Sequence, residues 1–407
     1  MPRDAKFGSP RFKAGAYPFY ARLRAEQPVH RVPLPGRQTG WLITRYDDVA
    51  AVLKDERFVK EGRDDFLTPE QKARRPWVPG FFAPLSRNML ALDPPAHTRL
   101  RALVHQAFTP RFVETLRGWI EGLTVELLDR VARRGRMELI RDYARPLPTS
   151  VIAQMLGISP DDRRRFHRWS SAIVSADTSG LGILKSVPAV HAFLKYLRKL
   201  VASRRANPRD DLVSALVLAR EAGDKLSEDE LLGMIFVLIV AGHETSVNLI
   251  GNGMLALLSH RDQWDRLRAE PQLLKPAIEE LLRYESPLES ATKRFAREDV
   301  TVAGVRIARG ELVYAVLASA NRDERHFPDP DRLDISRDPN RHIAFGLGAH
   351  FCLGAPLARL EGQIAIQALV RRFPDLRLAV PPEKLRWRRS MMMRGLEALP
   401  VEFALGV

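Results

Sequence analysis

Cysteine is almost absent from this chain, which has Cys352 as its single cysteine among 407 residues. A lone cysteine excludes an internal disulfide, a four-thiolate zinc site and an iron–sulfur cluster held by this chain alone. It can still be a small buried apolar residue, a nucleophile or a single thiolate ligand. The surrounding residues favour the ligand, because Gly346 and Gly348 permit a tight turn with positive φ. A helix predicted from Leu353, with Pro356 in its first turn, places Cys352 at a helix N-terminus, where the dipole stabilises a thiolate.

Long apolar runs are also missing. The longest, residues 231–242, is far short of the roughly 20 residues that span a bilayer. The first residues, Met1 to Phe7, contain no apolar segment typical of a signal peptide. We therefore expect a cytoplasmic, bacterial-type protein with no membrane partner. No Gly/Ser-rich or charge-run linker divides the chain, and 45% of its residues are hydrophobic. Length alone suggests two or three domains, and a single domain over residues 1–407 is what the family resemblance described below implies.

The charge of the chain is strongly positive, with a formal net charge of +15. Nucleic-acid binding is one interpretation of such a charge. The basic residues are spread along the chain among many acids, however, and no zinc-finger spacing accompanies them. We expect no nucleic-acid partner, but a solvated basic surface with a patch for an acidic protein.

Hydrophobic periodicity predicts a mainly α fold with small β-sheets. Alternation over residues 29–34 and 40–44, around Pro35-Gly36, predicts a β-hairpin. Helical periodicity dominates from residue 96 to about residue 280. The remaining predictions are a short helix over 47–53, a loop over 62–95, short strands over 288–318, an irregular segment over 322–345 and strand-like pieces after the helix that follows Cys352.

The segment around Cys352 resembles the haem-binding loop of the cytochrome P-450 family, the haem-thiolate monooxygenases. The family pattern is matched at each fixed position, by Phe345, Gly346, Gly348, His350, Cys352 and Gly354. Other family segments follow in the expected order, so the resemblance covers nearly the whole chain. It implies the cytochrome P-450 fold, a single large domain enclosing haem b, and Cys352 as the axial thiolate of the iron.

The predicted central helix resembles the family's oxygen-activation segment. Ala241 and Thr245 continue an apolar stripe that starts at Met234, and one hydroxyl interrupts that stripe. A structural alternative is that Thr245 bonds the carbonyl of Ala241, one helical turn back. The resemblance implies that Gly242 leaves room for dioxygen, that Thr245 holds a proton-donating water and that Glu244 relays protons.

Glu280 and Arg283, three residues apart on a predicted helix, match the family's Glu-x-x-Arg signature. Taken alone they are an ordinary helical ion pair. The resemblance implies a structural role, in which the pair binds the irregular segment through Arg332 and supports the haem loop. Loss of one partner is expected to prevent haem retention.

Haem carries two propionates, so its site requires cations. His97 and Arg101 share one face of a predicted helix and match the family's propionate-binding helix. Arg294 and His350 match two further propionate donors. The alternative for each of these four residues is a surface position in an arginine-rich chain.

The resemblance implies an apolar substrate of medium to large size: a terpenoid, steroid, polyketide or fatty acyl compound. Regions that match substrate-contacting segments suggest a pocket lined by Trp77, Phe81, Phe82, Leu85, Ile183, Val237, Leu288, Met391 and Met392, with Ile183 in a flexible loop. Core packing is an alternative for most of these residues.

The implied reaction uses dioxygen to hydroxylate or epoxidise the substrate. No nucleotide-binding fingerprint or iron–sulfur cysteines are present, so the electrons must come from a separate partner. The family suggests a ferredoxin and its reductase, and Arg341, Arg359 and Arg371 are candidate docking residues. A peroxide-driven peroxygenase is an alternative that the Glu244–Thr245 pair disfavours. A non-catalytic haem-thiolate sensor or carrier is another alternative.

Overall fold

Helices make up most of the chain. The computed structural model describes residues 7–34, 38–60, 66–69, 72, 83–159, 161–163, 165–166, 168–169, 180–221 and 224–405. The helices are α1 Pro10–Ala14, α2 Ala16–Glu26, α3 Tyr46–Lys54, α4 Ala83–Ser86, α5 Ala96–Ala107, α6 Pro110–Thr115, α7 Arg117–Ala132, α8 Pro146–Met155, α9 Gly180–Ala206, α10 Leu212–Leu218, α11 Glu228–Ser259, α12 Arg261–Ala269, α13 Leu274–Tyr284, α14 Leu317–Ala320 and α15 Ala355–Arg372. Short 3-10 turns occur at Pro271–Leu273, Gly348–His350 and Pro382–Lys384, and a π-helical turn at Ile140–Ala144.

The strands are short and form small sheets. They are β1 Val29–Leu34, β2 Gln38–Ile43, β3 Phe58–Val59, β4 Arg136–Glu138, β5 Arg220–Glu221, β6 Asp224–Lys225, β7 Arg294–Ala296, β8 Val300–Val302, β9 Val305–Ile307, β10 Leu312–Ala315, β11 Arg377–Leu378 and β12 Pro400–Glu402. A five-stranded sheet has the order β1-β2-β10-β7-β3, and a three-stranded sheet the order β11-β12-β4. The strand pairs β5-β6 and β8-β9 stand apart.

The predicted hairpin is confirmed. β1 and β2 run antiparallel, with Val29 opposite Ile43 and Leu34 opposite Gln38. The second strand begins at Gln38 and not at Gly40, because the pairing register continues into the turn. The inward residues Val29 and Ile43 belong to the core of this sheet, together with Val49 of α3 and Ala296 of β7.

The chain divides into two compact units. Unit 1 comprises residues 1–76, 121–145 and 245–407, and unit 2 comprises residues 77–120 and 146–244. Unit 1 holds the five-stranded sheet with α2, α3, α13 and α15. In unit 2, α10 packs against both α9 and α5. The expectation of one domain over residues 1–407 stays a prediction.

Two boundary predictions are wrong. Helix α15 begins at Ala355 and not at Leu353, because Leu353 and Gly354 form the turn that precedes it and Gly354 is the N-cap. Ile183 was expected in a loop but lies in the first turn of α9, which begins at Gly180. Gly180 and Gly182 therefore lie in the first turn of this helix. Residues 83–86 form a helical turn inside the segment predicted as a loop.

Helix α11 is long and apolar enough to cross a membrane, with a mean hydropathy of 1.5 over its most apolar window. About 67% of that window is buried within the protein. A buried core helix passes the same length and composition test, so this helix is weak evidence for a membrane span.

Candidate active site

The segment around Cys352 forms a tight loop that ends at the start of α15. Gly346 and Gly348 both have φ of +70°, as their sequence positions predict. The N–H of Cys352 donates to the carbonyl of Phe345 at 2.9 Å, which closes the loop, and Cys352 is half-buried. A Cβ on Gly348 would lie 2.9 Å from the carbonyl oxygen of Leu53. Glycine is therefore required at position 348 both by its φ and by the approach of α3.

Cys352 precedes α15 by a short turn. The N–H of Ala355 approaches the carbonyl of Cys352 at 3.4 Å, and the N–H of Ala358 donates to Gly354 at 2.9 Å. The sulfur lies near the start of the helix, since a Cβ on Gly354 would be 3.8 Å from it. The helix dipole favours an anionic sulfur at such a position.

The side chain of Arg359 in α15 lies against this loop. Its guanidinium binds both carboxylate oxygens of Glu279, at 2.7 and 2.8 Å, and lies 4.6 Å from the ring centroid of Phe345. His342 contacts the same Glu279 carboxylate at 2.9 Å. Burial acts to raise the pKa of Glu279, but the hydrogen bonds from Arg359 and His342 outweigh it and hold the pKa at about 2. Because its guanidinium is bound in this pair, Arg359 is a poor candidate for docking a partner protein.

Glu280 and Arg283 form a fully buried pair on α13. Two parallel hydrogen bonds of 2.7 and 2.8 Å join them. Arg283 also donates to the carbonyls of Asn321 at 3.0 Å and Pro330 at 2.8 Å, so the pair binds the irregular segment as predicted. A complete network of this kind offsets the cost of burying two charges.

The role predicted for Arg332 belongs to Arg337. Arg332 contributes only its main-chain carbonyl, which accepts from Arg283 at 3.2 Å, and the residue is exposed. The guanidinium of Arg337 reaches both oxygens of Glu280 at 3.2 Å. Arg337 also donates to the carbonyl of Pro328 at 2.7 Å, so one side chain ties the segment to the buried pair.

The four predicted propionate donors are divided between the units. In unit 1, Arg294 on β7 is 5% exposed and donates to the carbonyl of Phe58 at 3.2 Å, and half-buried His350 ends the turn before Cys352. In unit 2, His97 is 2% exposed on α5, and Arg101 follows one turn later, half-buried. His97 and Arg101 thus share a helix face as predicted. Burial of His97 and Arg294 contradicts the alternative that they are surface residues.

Helix α11 carries the predicted oxygen-activation residues. Ala241 is exposed and Thr245, one turn on, is half-buried, although most of this helix is buried. A Cβ on Gly242 would lie 2.7 Å from the Cδ1 of Ile152, so the space that this glycine leaves is used by a neighbouring side chain. The helix is continuous through Gly242. Buried Glu244 lies 3.9 Å from the Nε2 of His243.

Glu361 is a buried carboxyl that the sequence analysis missed. It lies on α15, is 0% exposed, and neither of its carboxyl oxygens has a hydrogen-bond partner among the described residues. Burial raises the pKa of Glu361 to about 8, and the nearby Ser246 side chain opposes the shift only in part. The carboxyl of Glu361 therefore holds a proton at neutral pH. Its neighbour Ser246 is the residue that follows Thr245 in the sequence. Its spacing from Leu357 and Ile364 on the apolar face of the helix was the available signal.

The structure sorts the predicted substrate-contacting residues. Trp77, Phe81 and Phe82 lie outside the described residues, and Ile183 is described only in its backbone. Leu85 is buried in a core cluster with Val190 and Leu194, so its packing accounts for its position. Val237 is buried on α11.

Leu288 and the methionine segment are joined. Leu288 pairs with Met393 in an isolated antiparallel bridge, and the carbonyl of Met392 accepts from the N–H of Glu289 at 2.7 Å. The side chain of Met391 packs against the N-terminal apolar cluster of Phe12, Tyr20 and their neighbours. Met391 is therefore used in core packing, and the substrate contact expected of Met392 stays a prediction.

The chemistry of these residues fits a thiolate-ligated haem. The chain offers its single cysteine thiol near a helix start, in a glycine loop whose backbone is fixed by hydrogen bonds. It also offers the buried guanidinium of Arg294 and the buried imidazole of His97, whose N–H donors suit carboxylates as partners.

Comparisons with known proteins agree with this fit. A family model described as cytochrome P450 matches residues 20–394. The chain is 46% identical over 396 residues to the polyketide biosynthesis cytochrome P450 PksS of Bacillus subtilis, covering 97% of each chain. The solved PksS structure superposes with a TM-score of 0.91, at 45% identity over 98% of this chain and 99% of that chain.

Two further relatives carry named activities. The cytochrome P450 monooxygenase PikC of Streptomyces venezuelae is 48% identical, over 97% of this chain and 92% of its own length. The 6-deoxyerythronolide B hydroxylase of Saccharopolyspora erythraea is 42% identical, over 96% of both chains.

Proposed function

The chain belongs to the cytochrome P450 family and is a monooxygenase; on that premise we propose that it oxidises a polyketide-type substrate in the bacterial cytoplasm. The proposal is that one oxygen atom of dioxygen enters a C–H or C=C bond of the substrate. Electrons would come from a separate ferredoxin and its reductase. The observation that carries the proposal is the Cys352 loop, in which the single cysteine lies at a helix start and its backbone N–H donates to the Phe345 carbonyl.

Haem b is the proposed cofactor. When bound through a thiolate, haem iron supplies the reductive activation of dioxygen, because the thiolate donates electron density that favours O–O cleavage. Cys352 would hold the iron. His97, Arg101, Arg294 and His350 would hold the propionates through charge-assisted hydrogen bonds.

The protein residues would position the reactants and supply protons. Thr245 would hold a water molecule with its hydroxyl, and the nearby carboxyl of Glu244 would pass protons toward it. Glu361, a neighbour of Ser246, would be a second proton donor, since its raised pKa keeps it protonated at physiological pH. The Glu280–Arg283 pair would maintain the loop geometry without touching the reacting atoms.

The substrate class is proposed from the relatives. PksS is named for polyketide biosynthesis, and a second relative is named a 6-deoxyerythronolide B hydroxylase. Among the four classes that the sequence suggests, these names favour a polyketide over a terpenoid, steroid or fatty acyl compound. Met392 and Leu288 would give apolar contacts to such a ligand, and the methionine side chain would adapt to its shape. The segments that carry these two residues are joined by the Leu288–Met393 bridge.

The ferredoxin is proposed to dock on exposed arginines. Arg341 and Arg371 are exposed, whereas Arg359 is held by Glu279. Charge reversal of Arg371 to Glu should slow reduction by ferredoxin, and more so at low salt. The control is Arg306→Glu on β9, where the side chain is exposed and pairs with Asp299 and where no effect on reduction is expected. Equal rates for both variants would contradict this docking surface.

The function is tested with ¹⁸O-labelled dioxygen, a ferredoxin, its reductase and NADPH, supplied with macrolide-type polyketides. Substrate-dependent NADPH consumption and one ¹⁸O atom in the product are expected. Product formed only with added hydrogen peroxide would support the peroxygenase alternative. Binding of haem and substrate without product under either condition would support the carrier alternative.

A further inference from the structure

Arg359 lies between an anion and the loop that carries Cys352. Its two hydrogen bonds to Glu279 fix the plane of the guanidinium, and the same group lies 4.6 Å from the centroid of the Phe345 ring. A bidentate pair combined with a stacking contact is a geometry that Arg forms and Lys cannot reproduce. The position of Arg359 is therefore defined on two sides.

The contact with Phe345 connects Arg359 to the backbone of the cysteine. The carbonyl of Phe345 accepts the N–H of Cys352 at 2.9 Å. The positive charge also acts on Cys352 through space, since attraction to this residue contributes to raising the pKa of Arg359, after the larger contribution from Glu279. Arg359 thus contributes an electrostatic field at the sulfur.

Glu279 balances that field. It stays ionised, because its pKa of about 2 is far below neutral pH. Its carboxylate accepts two hydrogen bonds from Arg359 and contacts His342 at 2.9 Å. The guanidinium is the member of the pair that lies against Phe345 in the cysteine loop, and the carboxylate offsets part of its charge.

We propose that Arg359 and Glu279 form a balanced charge pair that sets the electrostatic potential at the Cys352 sulfur, and with it the ease of reducing the bound iron. Arg359 is a positioning and tuning residue in this account and not a docking residue. The proposal rests on the proposed function in one respect, that Cys352 ligates haem iron. Reduction adds one negative charge at the iron, so a net positive change nearby favours it and a net negative change opposes it.

The two partners therefore give opposite predictions. Arg359→Gln leaves the Glu279 carboxylate uncompensated and should make the iron harder to reduce. Glu279→Gln leaves the guanidinium uncompensated and should make it easier to reduce. The double variant removes both charges and should lie between the two single variants. A role in packing alone would not produce shifts of opposite sign.

The experiment is an equilibrium redox titration of the purified, substrate-free haem protein, followed by its absorption spectrum. At a fixed applied potential, the ferrous-to-ferric ratio should fall about tenfold in Arg359→Gln and rise by a similar factor in Glu279→Gln, a shift of about 59 mV for a one-electron couple. Arg372→Gln is the control, because Arg372 lies at the exposed end of the same helix and pairs with Asp129. It should change the ratio less than about twofold. No ferredoxin is present, so a docking defect cannot imitate the result.

The outcomes separate the inference from its premise. The carbon monoxide spectrum of each reduced protein reports whether a thiolate ligates the iron. If the unmutated protein lacks the thiolate band, the proposed function fails. If the band is present but the two single variants shift together or not at all, the charge-pair inference is overturned.

If Arg359→Gln does not retain haem, a conservative variant at the same position tests the proposal instead. Arg359→Lys keeps the charge without the stacked, bidentate geometry, and its potential should stay near that of the unmutated protein. A fall as large as that expected for loss of the charge would show that geometry, and not charge, sets the potential, and would overturn the proposal.

Discussion

The carboxylate of Glu280 is bound by two guanidinium groups, with Arg283 at 2.7 Å on its own helix and Arg337 at 3.2 Å from the irregular segment. Glu280 and Arg283 are completely buried. These hydrogen bonds join α13 to the segment that precedes the cysteine loop, and so they stabilise the backbone that leads to Cys352.

Glu280→Gln tests this support. The substitution leaves two buried cations without an anion, and a buried pair that loses one partner costs about 3–5 kcal/mol. We expect a fall of that size in the free energy of unfolding, measured by denaturant titration, together with loss of bound haem. Glu126→Gln is the control, because Glu126 and Arg130 form a helical Glu–Arg pair, four residues apart, on an exposed surface. It should change stability by less than about 0.5 kcal/mol, and equal effects at both sites would contradict the account.

Glu361→Gln tests the buried proton. The pKa of Glu361 is about 8 in the folded protein against an ordinary value of 4.5. Between these pH values the folded state keeps a proton that the unfolded state has lost, so this group lowers stability as pH rises. By pH 7 the loss is on the order of 3 kcal/mol. In Glu361→Gln, the decline in unfolding free energy between about pH 5.5 and about pH 7, both about 1 unit inside the linkage range, should become shallower. A slope equal to that of the unmutated protein would show that Glu361 ionises normally.

Gly348→Ala tests the loop geometry against a matched glycine. Gly348 and Gly304 both have positive φ, of +70° and +79°. A Cβ at Gly304 meets nothing within 4 Å, whereas at Gly348 it lies 2.9 Å from the Leu53 carbonyl. Gly304→Ala should therefore cost only the backbone penalty of about 1–2 kcal/mol. Gly348→Ala should cost clearly more and reduce haem retention; similar melting curves and haem contents for the two variants would contradict this reading.

Thr245→Ala tests the proton-delivery proposal. Loss of the hydroxyl should leave substrate binding intact but divert NADPH consumption from product to hydrogen peroxide. Thr245→Ser keeps the hydroxyl and should keep most of the coupling. The measurement is the ratio of product to NADPH consumed. Unchanged coupling in Thr245→Ala would support the structural alternative, in which this hydroxyl only bonds its own helix.

Local patterns in the sequence predicted much of the fold and the site. The β1–β2 hairpin, the positive φ of Gly346 and Gly348 and the helix that carries His97 and Arg101 follow from short-range chemistry. The fit of the cysteine loop to a family pattern supplied the reaction class.

Contacts between distant segments were harder to predict. Arg332 and Arg337 lie in the same irregular segment, and the sequence contains nothing that distinguishes them. Only the folded backbone shows that Arg337 is the arginine that binds Glu280. The pairing of Arg359 with Glu279 likewise joins two helices far apart in sequence. Glu361 was identified as a candidate only from the structure, which shows that its carboxyl on α15 is fully buried.

The most direct test of the central claim is the carbon monoxide difference spectrum of the dithionite-reduced protein, recorded with and without Cys352→Ser. The account predicts a Soret band at the red-shifted thiolate position, and its loss in the variant. A band at the ordinary imidazole position, unaffected by the substitution, would mean that a histidine ligates the iron and would contradict the assignment of Cys352.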